Sequence, residues 1–169
     1  MRLFVALLFD DGFRDALAGA MRSLRRAGVT GGFTPPENLH LTLAFIGETN
    51  RVDEVKQAVG SLDLSPVELR LDCLGRFGDT VWAGLCPCRE LSAAADAVGK
   101  ALWQAGAGFK LETRPFIPHI TLVRRARPDE LPHIEIPAAA MTARRVSLMS
   151  SQLGKGKPVY TEIFSREML

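Results

Sequence analysis

A four-residue pattern of histidine, an apolar residue, threonine and leucine occurs twice in this chain, at residues 40–43 and 119–122. Each copy follows a loop that contains proline and opens a run of β-branched and aliphatic residues, which predicts a strand. The chain has only 3 histidines, and two of them open the same motif at the start of a predicted strand. This repeat constrains the possible folds more than any other feature of the sequence. The copies lie 79 residues apart, and a diverged duplication is the simplest interpretation.

Strand geometry predicts where the side chains of each motif point. Successive side chains alternate between the faces of a strand, so His40 and Thr42 share one face while Leu41 and Leu43 point to the other. The same parity holds for the second copy. Each strand therefore has an apolar face for the core and a polar face with one imidazole and one hydroxyl. Two such strands related by a pseudo-two-fold axis would line one cleft with two imidazoles and two hydroxyls.

The remaining elements follow a similar order in both halves of the chain. A strand is predicted over 2–9, and helical spacing of apolar residues with an aspartate cap predicts a helix that ends at Gly28. Proline and glycine predict a loop over 28–38. Further predictions are strands over 39–47, 67–78, 80–86, 144–153 and 158–164, a strand from residue 119, and helices over 52–59 and 91–106. The strands on either side of Gly78-Asp79 are expected to form a hairpin.

Size and composition exclude several classes of protein. A length of 169 residues fits one domain, or two small lobes that share a core. The net charge of +2 does not by itself indicate a nucleic-acid binder. No segment reaches about 18 consecutive apolar residues, so we expect a cytoplasmic protein without a membrane span. The 3 cysteines form no even disulfide framework, and Cys86-Pro-Cys88 lacks the second pair that a zinc site needs.

The paired motifs fit displacement at phosphorus. Attack and departure run in line, so one group takes a proton from the nucleophile while another, on the opposite side, gives one to the leaving oxygen. Histidine performs either task near neutral pH, and threonine hydroxyls donate to the charged phosphoryl oxygens. The alternatives are ordinary core histidines, or a two-histidine metal site, for which only Glu37 and Glu48 lie near in sequence. His133 lacks this context and is expected to be structural or exposed.

Four segments carry a resemblance to a known group of enzymes: RLFVAL at 2–7, PPENLHLTLAFIGE at 35–48, RPFIPHITLVR at 114–124 and SLMSSQLGKGKPVYTEI at 147–163. The chain resembles the 2H phosphoesterase superfamily, and within it the bacterial RNA 2′,3′-cyclic phosphodiesterase family, long labelled 2′-5′ RNA ligase. The resemblance implies a bilobal, duplicated α+β fold in which antiparallel sheets line a central cleft and helices pack outside. It implies a single domain over 1–169, made of two intertwined lobes with one motif each.

The resemblance also implies an activity and roles for the motif residues. The activity is metal-independent hydrolysis of a terminal 2′,3′-cyclic phosphate to a 2′-phosphomonoester, as part of RNA processing. His40 would be the proton donor and His119 the proton acceptor, while Thr42, Thr121 and Arg124 would bind phosphate. The symmetry of the motifs alone leaves open which histidine is the acid.

Further substrate contacts are predicted around the cleft. Regular alternation from the second motif would turn Arg124 away from the cleft and Arg125 toward it, unless a bulge or a strand end intervenes. Phe33, Phe116 and Tyr160 are candidates for stacking on a base, with core packing as the alternative for each. The expected partner is RNA with a cyclic phosphate end, or a cyclic nucleotide, bound by a monomer without metal or other cofactor.

Three other functions stay open at this point. The reverse reaction, 2′-5′ RNA ligation, uses the same acid and base. A binding module for RNA ends would keep the cleft without useful catalysis, and a small nucleotide such as a cyclic ADP-ribose phosphate would use the same chemistry. Lys155 and Lys157 are expected to lie in a solvated turn.

Overall fold

The strands of the chain form two antiparallel sheets, which a computed structural model describes over residues 1–106 and 114–169. In chain order the elements are β1 (Arg2–Leu7), α1 (Asp11–Arg26), β2 (Thr30–Phe33), a 3-10 turn (Pro36–Asn38), β3 (Leu41–Glu48), α2 (Val52–Gly60), β4 (Val67–Phe77), β5 (Thr80–Leu85), α3 (Arg89–Ala105), β6 (His119–Arg127), β7 (Ala140–Ala143), β8 (Arg145–Leu153) and β9 (Pro158–Glu167). The predicted α+β fold with antiparallel sheets is confirmed.

Each motif belongs to a different sheet. The four-stranded sheet has the order β3-β1-β8-β9, with β3 at its edge directly after His40. The five-stranded sheet has the order β2-β6-β5-β4-β7, with His119 at the start of β6. The four-stranded sheet thus combines strands from the beginning and the end of the chain, while the other sheet takes strands from between them and places β6 between β2 and β5.

The predicted parity of both motif strands is confirmed. Leu41, Ile120 and Leu122 are fully buried in one hydrophobic cluster that draws on both sheets. The histidine and threonine of each motif are instead partly exposed. Because the aliphatic residues lose their contact with water, each strand is fixed with its polar face outward from the core.

The first helix forms where the sequence predicts it. The Oδ1 atom of Asp10 accepts a hydrogen bond of 2.8 Å from the backbone N–H of Phe13, which caps α1. The residues at helical spacing are buried against the core: Phe13, Leu17, Ala20, Met21 and Leu24. Strands β4 and β5 are joined at Gly78-Asp79, as the hairpin prediction requires.

Two short strands, β2 and β7, were not predicted from the sequence. The segment over 28–38 is not a loop throughout, because β2 pairs with β6 there and a 3-10 turn follows. Strand β7 pairs with the first four residues of β4, Val67 to Arg70. Both strands have only 4 residues, and their pairing comes from the neighbouring strand and not from their own propensity. Within the described ranges, no helix has the length and apolar character to cross a membrane.

Candidate active site

The histidine of the first motif is held by its own loop. Its Nδ1 atom lies 2.8 Å from the carbonyl oxygen of Asn38. A carbonyl only accepts, so the Nδ1–H of His40 is the donor and the tautomer is defined. The Nε2 atom lies 3.0 Å from Oγ1 of Thr42, so the neutral ring accepts a hydrogen bond from the hydroxyl of its own motif. Nε2 is therefore the nitrogen available for proton transfer.

The second histidine repeats this arrangement in the other sheet. The Nδ1–H of His119 donates to the carbonyl oxygen of Ile117 at 2.8 Å. In both motifs the acceptor is the carbonyl two residues before the histidine. The bond fixes the ring orientation and leaves Nε2 as the nitrogen that can gain or lose the catalytic proton.

Residues from both motifs line one cavity of about 280 Å³. It lies between the loop before His40, strand β6 and the turn that joins β8 to β9. Its lining residues are Gly32, Phe33, Thr34, Pro35, Asn38, His40, Thr121, Arg124, Arg125, Gly156, Lys157, Pro158 and Tyr160. The imidazole of the first motif and the threonine of the second therefore face the same space. Thr42 and His119 adjoin these residues in sequence but are not part of the lining.

The surroundings of His40 lower its pKa. Burial is the main cause that lowers the pKa of His40 below its ordinary value, and the hydrogen bond to Asn38 opposes that shift. The positive charges of Arg124 and His119 lower the pKa of His40 further. Arg124 and His119 both belong to β6, so both of these contributions come from the same strand. In the free protein His40 favours its neutral form.

A bulge in β6 determines which side of the strand Arg124 faces. Val81 pairs with Val123 but Trp82 pairs with Thr121, so β6 has one more residue than β5 over this stretch. The extra residue reverses the alternation beyond it. Arg124 consequently lies on the side of Thr121 and lines the cavity. The sequence allowed this outcome only if a bulge or a strand end intervened, and the structure contains a bulge.

A second irregularity in β6 places Arg125 in the same cavity. Arg125 has a positive φ of 54°, and the β2–β6 register shifts there: Thr30 pairs with Arg127, but Gly32 pairs with Arg124. Two residues of β6 therefore oppose Gly31 alone. Both Arg124 and Arg125 line the cavity, so the sequence-based choice between them is unnecessary.

The aromatic candidates have different surroundings. Tyr160 lines the cavity and lies edge-on to His40, with 5.3 Å between ring centroids. Phe33 also lines the cavity, but the residue is only 7% exposed and the guanidinium of Arg25 lies over its ring, 4.1 Å from the centroid. Phe116 packs against the core and is outside the cavity lining. Of the three, Tyr160 has the ring best placed to meet a ligand.

Two residues of the cavity wall were not predicted to have a role. The buried Asn38 donates from Nδ2 to the carbonyl oxygen of Pro158 at 2.9 Å while its own carbonyl holds His40. Lys157 donates from Nζ to the carbonyl oxygen of Phe33 at 2.7 Å. Lys157 is exposed, as predicted for a solvated turn, and it also lines the cavity. Both bonds tie the β8–β9 turn to the chain before His40, which a single-sequence pattern does not indicate.

The remaining candidates lie away from this cavity. His133 is exposed, as expected for the histidine without a motif. Cys73, Cys86 and Cys88 are free thiols. Over the part of the chain that the structure describes, no group of three or more histidine, cysteine or carboxylate side chains is arranged to hold a metal ion.

This pairing of two histidine–threonine motifs across two sheets defines the class of protein: it is an enzyme of the 2H phosphoesterase type. The model of the 2′-5′ RNA ligase superfamily matches residues 13–155, and the chain belongs to that superfamily. The match includes both motifs and the strands that carry them.

Individual relatives extend the likeness over nearly the whole chain. The RNA 2′,3′-cyclic phosphodiesterase of Archaeoglobus fulgidus is 28% identical, over 96% of this chain and 98% of that protein. The crystal structure of TT0787 of Thermus thermophilus has a TM-score of 0.85 at 26% identity, with 99% of this chain and 98% of that chain covered. Escherichia coli LigT complexed with 3′-AMP has a TM-score of 0.81 at 25% identity, with 99% and 96% covered.

Proposed function

We propose that this enzyme hydrolyses the 2′,3′-cyclic phosphate at the end of an RNA to a 2′-phosphomonoester by paired-histidine acid–base catalysis, without a metal ion. The observation that carries the proposal is that His40 of the first motif lines one cavity together with Thr121 of the second motif and Arg124. The names of the relatives support the substrate class, and LigT with bound 3′-AMP supports a nucleotide-sized ligand in this fold.

The reaction divides the proton transfers between the two imidazoles. Nε2 of His119 takes a proton from water as the new bond between oxygen and phosphorus forms. The bond from phosphorus to the 3′ oxygen breaks on the opposite side, and Nε2 of His40 gives its proton to that oxygen. Each histidine then returns to its starting form by proton exchange with solvent. The acid role of His40 follows the family, since the geometry of the two motifs is alike.

The phosphate oxygens meet donors and positive charge. The hydroxyls of Thr42 and Thr121 donate to the non-bridging oxygens, and the guanidinium of Arg124 balances the charge that builds up on them. Thr42 has to turn its hydroxyl from Nε2 of His40, its partner in the free protein, to the substrate. Arg125 and Tyr160 line the same cavity and contact the rest of the terminal nucleotide.

Substrate binding prepares His40 as an acid. In the free protein the pKa of His40 is lowered, chiefly by burial and in addition by Arg124 and His119. A bound phosphate brings negative charge to the imidazole, and an opposite charge within a few ångström favours the protonated form. The donor proton is therefore held more firmly in the complex than in the free enzyme.

The test compares three histidine variants on an RNA with a cyclic phosphate end. His40→Ala and His119→Ala are each expected to lower kcat by about 10²–10⁴-fold while the melting temperature stays close to that of the parent. His133→Ala is the matched control, since His133 is exposed and outside the cavity, and it should keep full activity. Turnover should persist in EDTA. Full activity in both motif variants would falsify the assignment.

Ligation of RNA ends through a 2′-5′ linkage is the reverse of a related step and uses the same acid and base by microscopic reversibility. Water at high concentration favours hydrolysis for an isolated enzyme. A substrate mixture that offers both a cyclic phosphate end and a free 5′ hydroxyl end separates the two outcomes by product length.

A further inference from the structure

Two aromatic rings form a surface beside the second motif that no predicted role accounts for. Phe77 ends β4 and is 43% exposed, and Trp82 on β5 is partly exposed. Their ring centroids lie 4.9 Å apart. The ring of His119 lies 5.1 Å from Phe77, edge-on, and 5.9 Å from Trp82. We call Phe77 and Trp82 the aromatic shelf.

The shelf is built into the sheet by glycine. Gly75 is paired with Trp82 across β4 and β5, and a Cβ atom at Gly75 would overlap the six-membered ring of Trp82. A Cβ atom at Gly84 would lie 3.1 Å from the same ring. The indole therefore lies against the backbone at Gly75, where any larger residue would displace it. Such a fixed orientation preorganises an aromatic surface for stacking.

The shelf and the cavity flank the second motif on opposite sides. In the five-stranded sheet the order is β2-β6-β5-β4, so β6 separates the cavity wall on β2 from the shelf on β5 and β4. Trp82 pairs with Thr121 and Gly84 pairs with His119. A phosphate held by Thr121 and Arg124 at the β6 wall of the cavity consequently lies next to the strand that borders the shelf.

We propose that the shelf stacks the nucleobase next to the terminal one, as a second subsite for the RNA substrate; this inference rests on the proposed function. The cavity, at about 280 Å³, is slightly smaller than the usual ligand pocket of about 300–1,000 Å³, so the inference assigns only the terminal nucleotide to it. The 5′ oxygen of the terminal ribose continues the chain, so the neighbouring base has to lie outside the cavity. Aromatic faces accept any base, because every base has a π-face.

The kinetic test compares two substrates: a dinucleotide with a 2′,3′-cyclic phosphate end and the corresponding 2′,3′-cyclic mononucleotide. Phe77→Ala is expected to lower kcat/KM for the dinucleotide by about 5- to 150-fold and to leave that for the mononucleotide nearly unchanged. Trp103→Ala is the matched control, since Trp103 is an aromatic residue on α3 with 55% exposure, and it should affect neither substrate. An equal loss on both substrates would show that the shelf only supports His119, which overturns the inference.

A binding test needs no change in the shelf and no turnover. The chain has only 2 tryptophans, Trp82 and Trp103, so Trp103→Phe leaves Trp82 as the sole indole fluorophore. In this variant with His40→Ala added, the dinucleotide is expected to quench the emission and the mononucleotide to leave it nearly unchanged. If the emission stays constant at saturating dinucleotide while the parent turns the dinucleotide over normally, the stacking role of the shelf is overturned. The proposed function is then unaffected. Absent turnover of both substrates by the parent would instead remove the proposed function.

Discussion

Replacement of Gly31 by alanine tests the β2–β6 irregularity that places Arg125 in the cavity. Gly31 has a φ of +144°, and a Cβ atom there would lie 2.7 Å from the carbonyl oxygen of Arg124 and 2.9 Å from that of Arg125. Both contacts are too short for real Cβ atoms, and both partners are backbone atoms that cannot rotate away. The edge strand β2 therefore has to move away from β6.

The size of the effect follows from two contributions. A side chain forced into this backbone conformation costs about 1–3 kcal/mol, and each hydrogen bond lost between β2 and β6 adds about 1 kcal/mol. We expect a total loss of about 2–4 kcal/mol in the free energy of unfolding. For a chain of this length that corresponds to a melting temperature lower by about 4–16 °C. KM should rise more than kcat falls, because Arg124 and Arg125 lose their positions while the histidines keep theirs.

Gly32→Ala provides the control for stability. Gly32 is not at positive φ, and the atom nearest to its added Cβ is the carbonyl oxygen of Arg124 at an ordinary 3.6 Å. This variant should stay within about 1 kcal/mol of the parent. Thermal melts of both variants followed by circular dichroism give the comparison. Equal melting temperatures would refute the reasoning, since the two changes add the same atom and differ only in its surroundings.

Three further predictions concern the groups around His40. Asn38→Ala leaves the partly buried carbonyl of Pro158 without its 2.9 Å donor, so denaturation should show a loss of about 1–3 kcal/mol in the free energy of unfolding. Kinetics should show a lower kcat, because the backbone of Asn38 also holds His40. With His40 as the acid, the alkaline limb of the kcat/KM profile should lie below the ordinary histidine pKa, because the pKa of His40 is lowered in the free enzyme. The alkaline limb of the kcat profile should lie at higher pH, because bound phosphate favours protonated His40. Coincident limbs in the two pH profiles would contradict this. Arg124→Ala should move the limb of kcat/KM to higher pH by removing a charge that lowers that pKa, whereas Arg125→Ala should raise KM without moving it.

The motif strands were predictable from the sequence because burial and parity agree there. Apolar residues alternate with histidine and threonine, and only one register puts Leu41 and Leu122 into the core. The capped first helix was predictable for a similar reason, since Asp10 and the spacing of apolar residues both indicate its start. In these elements the local preference and the tertiary environment select the same conformation.

The features that the sequence did not predict depend on pairing between neighbouring strands. Strand β2 contains two glycines and forms because β6 pairs with it. The positions of Arg124 and Arg125 depend on irregularities in β6 that no local residue preference indicates. The aromatic shelf joins residues of two strands, and its one sequence signal is a glycine, Gly75, opposite a tryptophan once the hairpin register is known.

Identification of the product by phosphorus NMR, after incubation of the purified protein with a short RNA that has a 2′,3′-cyclic phosphate end, tests the central claim most directly. If the imidazoles of both sheets act on one phosphorus with the 3′ oxygen as the leaving group, the sole product is the 2′-phosphomonoester. A 3′-phosphomonoester, or a cyclic end that persists unchanged in the presence of folded enzyme, would contradict the account.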